Sequence, residues 1–428
     1  MRLHPQYLEL HNELHARPFP VMRSPGYVFH YAALREEGGA EAEERHIARL
    51  LEEPGVLVQS RSASHLHGRI AQGEVRIGRH SEFTSYVFIL PGRLEACFPD
   101  PAALGLPAAW IDGIPGEIIS KVLLTLIKTE EQPYSRAELE TRFGSEVITG
   151  NYVTFKCAVV WTDFNLVGDD FSRYLVQDFN LTPRRTGRMV QRLIEIDTYR
   201  MMALLSLPLA RQSIPEIDEQ DRRLTAFIER LNEERDLAEE KALLRDLISL
   251  ATGNEHMLAR INHRFNATGA YRLILEDRLQ ELRQEQVPGY QTLSEFLARR
   301  VTPALRTCES VHGRIVDLSD RIQRATDLLR TRVNVNLEAQ NQDILSSLAQ
   351  RAQVQLRLQQ AVEGLSVMAI SYYGLGLLKV VLTALKQTGL HVDSDIVTGL
   401  AAPLVVLLVW GSLRAMKRRI MDHSRSDG

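Results

Sequence analysis

Hydrophobic residues are most concentrated near the end of the chain, in two stretches at residues 365–385 and 396–413. About 20 consecutive apolar residues form a helix long enough to cross a bilayer core roughly 30 Å thick. A buried helical hairpin in a soluble core is the alternative, but uninterrupted apolar stretches of this length are more typical of membrane helices. The pattern therefore predicts a transmembrane hairpin over residues 364–413.

The charges that flank the second stretch predict the orientation of this hairpin. Four basic residues follow the stretch, namely Arg414, Lys417, Arg418 and Arg419. Basic residues beside a membrane helix favour the cytoplasmic side, and they attract anionic lipid head groups. We therefore expect residues 414–428 to form a basic cytoplasmic tail. Two crossings also place the preceding part of the chain in the cytoplasm, and residues 1–13 do not resemble a secretory signal peptide.

Residues 1–182 alternate between two periodicities. Short segments that are rich in β-branched and aromatic residues and bounded by Gly or Pro are typical of strands. Apolar residues spaced three and four apart are typical of helices. Strands are predicted at residues 27–34, 56–60, 74–79, 83–90 and 152–161, and helices at residues 41–51 and 117–129. The pattern predicts an α+β cytoplasmic domain whose strand order stays open.

From residue 183 onward the pattern becomes helical. Amphipathic segments are found at residues 187–207, 217–251, 258–286 and 294–300. Pro208 and Pro303 follow the first and the last of these segments and predict helix ends. We therefore expect a helical domain over residues 183–303, in which pairs of opposite charge form solvated faces.

Residues 304–363 contain no proline and one glycine, Gly313, so they predict a single long helix. A helix of this length needs to pack against other helices to be stable. Apolar residues at steps of seven and four form a seam of the kind found in coiled coils. The seam consists of Ile322, Leu329, Val333, Leu337, Ile344 and Leu348. Glutamines become frequent after the seam, where they suit either hydrogen bonding between chains or an ordinary polar surface.

Composition limits the class of protein. The net charge is −3, with acidic and basic residues mixed through most of the chain, so we expect no nucleic-acid partner. The three cysteines are far apart and form no CxxC pair, which argues against a disulfide framework and is typical of a reducing compartment. No phosphate-binding loop, nucleophile elbow or dinucleotide fingerprint occurs. The sequence therefore identifies no enzyme and no cofactor.

Two pairs of residues have the chemistry of metal ligands. His11 and His15 are four residues apart and would share one face of a helix, although a packing or capping role is the simpler interpretation. Asp169 and Asp170 follow a predicted strand and offer carboxylates to a divalent cation, although solvation in a loop is the simpler interpretation here as well.

The first apolar stretch carries polar residues whose role stays open. Lys379 lies within the stretch, where a lysine is a functional hypothesis, but its stem is long enough to reach the interface. Steps of three and four place five residues on one helix face, namely Glu363, Ser366, Ile370, Tyr373 and Leu377. In an oligomer this face would line a pore with carboxylates at its mouth. In an anchor the same face would pack against the second helix.

Three long motifs are similar to those of a known family. They are LHNELHARPFP at residues 10–20, RTRVNVNLEAQNQ at residues 330–342 and QLRLQQAVEGLSVMAISYYGLGL at residues 355–377. They resemble a bacterial family of predicted membrane-anchored proteins of unknown function, over nearly the whole chain. The resemblance implies membrane anchoring and brings no activity with it.

The order of the predicted elements is also similar to that of the CorA-type magnesium and cobalt transporters, which are ring-shaped oligomers. Both have a cytoplasmic α/β domain, a long stalk helix, two membrane helices and a basic tail. The Gly-Met-Asn signature of those transporters does not occur here, and Tyr373 and Gly374 lie inside the first apolar stretch. The likeness makes a divalent cation a candidate partner, without a mechanism of ion selection.

These observations lead to three hypotheses about a protein of the bacterial cytoplasmic (inner) membrane with both termini in the cytoplasm. The leading hypothesis is a membrane-anchored scaffold or sensor, not an enzyme, that forms homo-oligomers through its stalk and membrane helices. A CorA-like oligomeric divalent-cation channel is the first alternative, and a membrane-tethered metal-dependent enzyme is the second. The ligand, the stoichiometry and the physiological process do not follow from the sequence.

Overall fold

The computed structural model describes residues 3–4, 6–7, 11, 19–36, 38–62, 64–130, 132–168, 170–231, 237–387 and 394–424. The chain divides into two compact units. We call Met1–Glu234 together with Leu243–Thr326 the body, and Arg235–Ala242 together with Asp327–Gly428 the C-terminal unit.

The body contains a sheet with ten strands among the described residues. The strands are β1 (Gly26–Leu34), β2 (Leu57–Arg61), β3 (His65–Ile70), β4 (Gly73–Arg79), β5 (Phe83–Pro91), β6 (Ile118–Lys128), β7 (Thr149–Val153), β8 (Ala158–Val167), β9 (Phe171–Asp178) and β10 (Glu285–Gln286). Their order is β10-β7-β8-β9-β6-β1-β5-β4-β3-β2. Strands β6 and β9 are parallel and the other neighbours are antiparallel, so the sheet is mixed. The prediction of an N-terminal domain that mixes helices and strands is confirmed.

Strand β6 corrects the helix predicted at residues 117–129. It lies between β1 and β9 and is buried on both faces, since Leu123 and Leu124 point to opposite sides and both have no exposed surface. The sequence of a strand that is buried on both faces is a nearly continuous apolar run. Such a run contains apolar residues three and four apart by necessity, so periodicity alone does not separate it from a buried helix.

A tight turn corrects the single strand predicted at residues 152–161. Thr154, Phe155 and Lys156 all have positive φ angles, of 54°, 59° and 58°. Three consecutive residues in this left-handed region reverse the chain, and the reversal separates β7 from β8. The strands predicted near β1, β2, β4 and β5 are confirmed, whereas β9 was not predicted from the sequence.

Helices cover both faces of the sheet. The helices of the body's first half are α1 (Ala40–Glu52), α2 (Ala108–Asp112), α3 (Arg136–Phe143) and α4 (Pro183–Leu204). On one face, Leu50 of α1 and Trp110 of α2 pack in a core with Phe29 and Phe88 of the sheet. On the other face, Leu193 of α4 belongs to a core with apolar residues of β1 and β6. The alternation of side chains along each strand supplies both cores.

Longer helices follow than the sequence predicts. They are α5 (Ser206–Leu231), α6 (Leu237–Glu281), α7 (Leu293–Gln387) and α8 (Ser394–Ser424). Gly253 lies inside α6 and Pro303 lies inside α7, so neither ends a helix. Pro208 is the third residue of α5, a position where the missing N–H is tolerated. The helix predicted to end before Pro208 ends at Leu204, so the break lies four residues before this proline, whereas the break predicted at Pro303 is wrong.

The C-terminal unit consists of residues of α6, α7 and α8. Among the seam residues of this unit, Leu329 and Val333 are buried, whereas Ile344 and Leu348 are 58% and 54% exposed. Both α7 and α8 contain an 18-residue window that is apolar and long enough to cross a membrane. Large apolar side chains in these windows are exposed, including those of Leu377 and Leu404.

Candidate functional site

A cavity of about 310 Å³ lies in the body between helix α4 and the face of the sheet formed by β1, β5, β4 and β3. His30, Arg76 and Ser85 line it from the sheet. Val190 and Ile194 line it from α4, whose amphipathic pattern turns these apolar residues toward the sheet. The cavity therefore has a polar floor and a partly apolar roof.

Strand register brings the polar residues of the floor together. His67 pairs with Arg76, Arg76 with Val87, and Val87 with His30, so these four residues form one row across the sheet. Directly paired residues of neighbouring strands point to the same face. The row that follows contains Gly78, which has no side chain and leaves space above the floor.

His30 is the most deeply buried polar residue of the cavity, with no exposed surface. Its Nε2 lies 3.0 Å from Ser85 Oγ, and its Nδ1 has no hydrogen-bond partner among the described residues. Burial lowers the pKa of His30 to about 3; Asp197 opposes this effect and His80 adds to it. His30 is therefore neutral at physiological pH, with one ring nitrogen left for a ligand or a water molecule.

Asp197 of α4 is the centre of a buried network near His30. Its carboxylate accepts hydrogen bonds from Arg200 at 2.6 Å, from Ser120 at 2.8 Å and from the hydroxyl of Tyr174 at 3.3 Å. Burial, together with the charge of Asp197, raises the pKa of Tyr174 well above its usual range. Burial acts to lower the pKa of Arg200, but Asp197 and Tyr174 raise it. The network holds an ion pair inside the body and joins α4 to β6 and β9.

Two guanidinium groups line the cavity. Burial lowers the pKa of Arg76, and the carboxylate of Glu74, 4.0 Å away, opposes that effect. Burial acts on Arg278 in the same direction, but its ion pairs with Glu195 and Glu281 raise its pKa. Both arginines thus carry positive charge in a partly desolvated place, where an anion interacts more strongly than in water.

The chemistry of the cavity favours binding over nucleophilic catalysis. The Ser85–His30 hydrogen bond has the geometry of a nucleophile and its base. A base with a pKa near 3, however, has little driving force to take a proton from a serine hydroxyl at neutral pH. The same two groups are suitable hydrogen-bond partners for a bound molecule.

Each predicted metal pair has only one member among the described residues. His11 stacks on the ring of Tyr7, and Asp170 is an exposed residue of the turn between β8 and β9. His15 and Asp169 lie outside the described residues. Within those residues, no group of three or more His, Cys, Asp or Glu side chains could hold a metal ion.

The polar residues predicted for the membrane face lie along the end of α7. Glu363 is half-buried, and Ser366 donates a hydrogen bond to the carbonyl oxygen of Val362 at 2.9 Å. Tyr373 is exposed. Lys379 forms an ion pair with Asp395 of α8, with 2.7 Å between Nζ and Oδ1. The hydroxyl of Ser366 is thus bonded within its own helix.

The basic residues predicted for the membrane surface all lie in the last part of α8. The guanidinium of Arg414 stacks over the ring of Trp410, at 4.8 Å from its centroid. Lys417, Arg418 and Arg419 follow in the same helix. This order places an aromatic residue and then basic residues at the end of the apolar segment, as is common where membrane helices meet the interface.

Sequence reasoning missed the cavity. His30 interrupts the apolar run of β1, and Ser85 interrupts that of β5, so each was a signal of a polar site inside a core strand. Arg278 is 248 residues away from His30 along the chain, and only the tertiary fold brings it to the cavity.

A comparison with protein-family models identifies one relationship. The model described as "Protein of unknown function (DUF3422)" matches residues 2–420. A search of curated proteins found no match. Because the matched region covers nearly the whole chain, this protein belongs to the DUF3422 family.

Proposed function

We propose that this chain is a membrane-anchored scaffold or sensor of the bacterial inner membrane that forms homo-oligomers through α7 and α8. The body would face the cytoplasm, where its cavity or its surface binds a partner. The main support for this proposal is that large apolar side chains are exposed along the apolar windows of α7 and α8. Exposed apolar surface of this extent needs a lipid or protein environment.

Contacts between α7 and α8 support a membrane hairpin. A Cβ atom added to Gly374 would lie 3.6 Å from Val405 Cγ1, so the helices approach closely at a residue without a side chain. Small residues permit such approaches between membrane helices. The ion pair of Lys379 with Asp395 neutralises the ionisable residue of the first segment, which lowers the cost of placing it near lipid.

The basic end of α8 supports a cytoplasmic position for both termini. Arg414 to Arg419 include four basic residues directly after the apolar window, and such residues mark the cytoplasmic side. Fusion of a periplasm-active reporter after Gly428 tests this orientation. We expect no reporter activity, and strong activity would reverse the orientation.

Exposed seam residues support oligomerisation. Ile344 and Leu348 continue the buried positions Leu329 and Val333 along α7, but they are exposed in a single chain. A second copy of the helix would cover them in the manner of a coiled coil. The mass of the detergent-solubilised protein measures this directly: we expect a homo-oligomer, and a monomer at all concentrations would remove this part of the proposal.

The transport alternative predicts that the protein conducts cations. A channel would admit cations to liposomes that contain a divalent-cation indicator, and uptake would fall in Glu363→Gln because the variant removes a carboxylate and keeps its size. We expect no uptake above empty liposomes. Uptake that depends on Glu363 would replace the scaffold or sensor with a CorA-like channel.

A further inference from the structure

We propose that the cavity between α4 and the β1-β5-β4-β3 face binds a small organic anion, with one carboxylate or phosphate group and a compact apolar body. This inference deepens the proposed function, because it gives a sensor its ligand site. The site nevertheless lies wholly within the body, so its binding is measurable apart from anchoring and assembly.

The charges of the cavity favour an anion. Among the described residues that line the cavity, Arg76 and Arg278 are cationic, Glu195 is anionic and His30 is neutral. Arg278 is paired with Glu195 and Glu281, so we assign the anion to Arg76, whose contact with Glu74 is longer, at 4.0 Å. The side chain of Arg76 is 13% exposed. A carboxylate or phosphate beside this partly desolvated guanidinium would form charge-assisted hydrogen bonds, which are stronger than those of neutral groups.

The walls of the cavity favour an apolar ligand body. Phe83 and Val87 of β5 face Val190 and Ile194 of α4 across it. A volume of about 310 Å³ is near the lower end of the range for small-molecule sites. The space therefore suits a single ring or a short chain better than a lipid with full-length chains.

His30 and Ser85 supply a neutral polar end to the site. Nδ1 of His30 is buried and has no hydrogen-bond partner in the part of the chain that the structure describes, whereas buried polar atoms almost always have one. His30 is held by Ser85 through its other ring nitrogen. A bound molecule or its accompanying water would satisfy Nδ1 without movement of the sheet.

Gly78 makes it possible to fill the cavity without altering a charge. Its φ angle is not in the left-handed region, and among the described residues a Cβ atom added there would come within 4 Å of His80 Nε2 alone, at 3.8 Å. Valine is well accommodated in strands. Gly78→Val should therefore keep the fold and occupy the space that the ligand body needs.

The test uses the full chain in detergent, titrated calorimetrically with benzoate and with phenyl phosphate, and with benzamide as the neutral counterpart of benzoate. We expect at least one of the two anions to bind and benzamide to bind at least about tenfold more weakly. The anion that binds better identifies the acidic group. Arg76→Gln should weaken binding of the anion about tenfold or more, and Gly78→Val should abolish it at an unchanged melting temperature.

The matched control is Arg69→Gln. Arg69 is exposed on β3, one strand away from Arg76, and does not line the cavity. We expect the Arg69→Gln variant to bind the anion with the affinity of the wild type. Absence of binding by both anions, equal binding of benzamide, or full binding by a folded Gly78→Val variant would overturn the site. If the same preparation is membrane-derived and oligomeric, such a result leaves the proposed anchoring and assembly intact.

Discussion

Strand β6 of the body and helix α8 of the C-terminal unit are both strongly apolar, but the side chains of β6 are mostly buried and those of α8 are mostly exposed. Leu124 of β6 has no exposed surface, whereas Leu404 of α8 is 62% exposed. The body covers its own apolar residues with helices on both faces of the sheet. The C-terminal helices leave theirs uncovered, as the proposed membrane anchor requires, because exposed apolar surface of this extent needs a lipid or protein environment.

The first prediction places a charge at each of these two positions. Leu124→Asp buries an unpaired carboxylate and should lower the free energy of unfolding by more than about 4 kcal/mol. Leu404→Asp should leave the thermal unfolding of the body unchanged and reduce the fraction of protein in the membrane. Circular dichroism of detergent-solubilised protein and quantitative membrane fractionation provide the two readouts. If both changes destabilise the body equally, the two positions do not differ in burial as described.

The second prediction applies the comparison along one helix. Leu329→Asp, at a position 1% exposed, should destabilise the chain by about 3 kcal/mol, because the charge is buried. Ile344→Asp should cost the single chain almost nothing and should shift the detergent-solubilised protein toward smaller assemblies. If Ile344→Asp leaves the mass of the assembly unchanged, another copy does not cover this part of the seam.

The third prediction concerns pH and acts on the body. Burial lowers the pKa of His30 to about 3 and that of His46 to about 4, with Arg49 adding to the effect on His46. The unfolded chain, with histidine pKa values near 6.5, then binds more protons than the folded chain between about pH 4 and 6.5. Stability is therefore full above about pH 6.5 and falls with acidification, by roughly 1 kcal/mol per pH unit for each histidine.

The control for this pH dependence is His46→Phe. His46 stacks on Trp110 at 4.2 Å, so a phenylalanine ring keeps this contact and removes the titrating group. The decline in unfolding free energy between pH 6.5 and 4 should become shallower. An identical slope in the variant would show that His46 does not titrate as described, whereas membrane retention should be insensitive to this change.

The smallest predicted effect is at the start of α3. Ser135 and Glu138 form a capping box, in which the Glu138 carboxylate accepts a hydrogen bond from the Ser135 N–H at 2.8 Å. Ser135→Ala should lower the free energy of unfolding of the body by about 1 kcal/mol. Ser346→Ala, in the exposed middle of α7, is the control and should have no measurable effect on denaturant unfolding. A loss as large for Ser346 would mean that the exposed middle of α7 contributes to the stability of the body.

The sequence predicted the two regions unequally, for physical reasons. Local periodicity identified β1, α1 and both apolar helices, because each pattern is contained in the element itself. It failed for β6, since burial on both faces removes the alternation that marks a strand. It also failed at Pro303, a residue type that usually ends a helix, because α7 continues through it with Val301 and Leu305 buried on either side.

The residues of the candidate site were harder to predict from the sequence than the elements of the fold. His30, Arg76 and Arg278 reach one cavity through strand pairing and helix packing across large sequence separations. The pairs that the sequence did suggest, such as His11 with His15, relied on short spacing alone. Short spacing identifies a metal site only when the residues share a face and a ligand. His15 and Asp169 lie outside the described residues, so both metal pairs stay predictions.

The most direct test of the account asks whether exposed residues of α8 face water or lipid. Leu404→Cys and Val147→Cys, at positions 62% and 60% exposed, are made in a chain whose Cys97, Cys157 and Cys308 are replaced by alanine. Membrane vesicles that are opened but not dissolved in detergent are treated with a water-soluble maleimide. We expect rapid labelling at position 147 of the body in opened vesicles, and labelling at position 404 only after denaturation in detergent. Equally rapid labelling of both positions in the membrane preparation would contradict the membrane assignment.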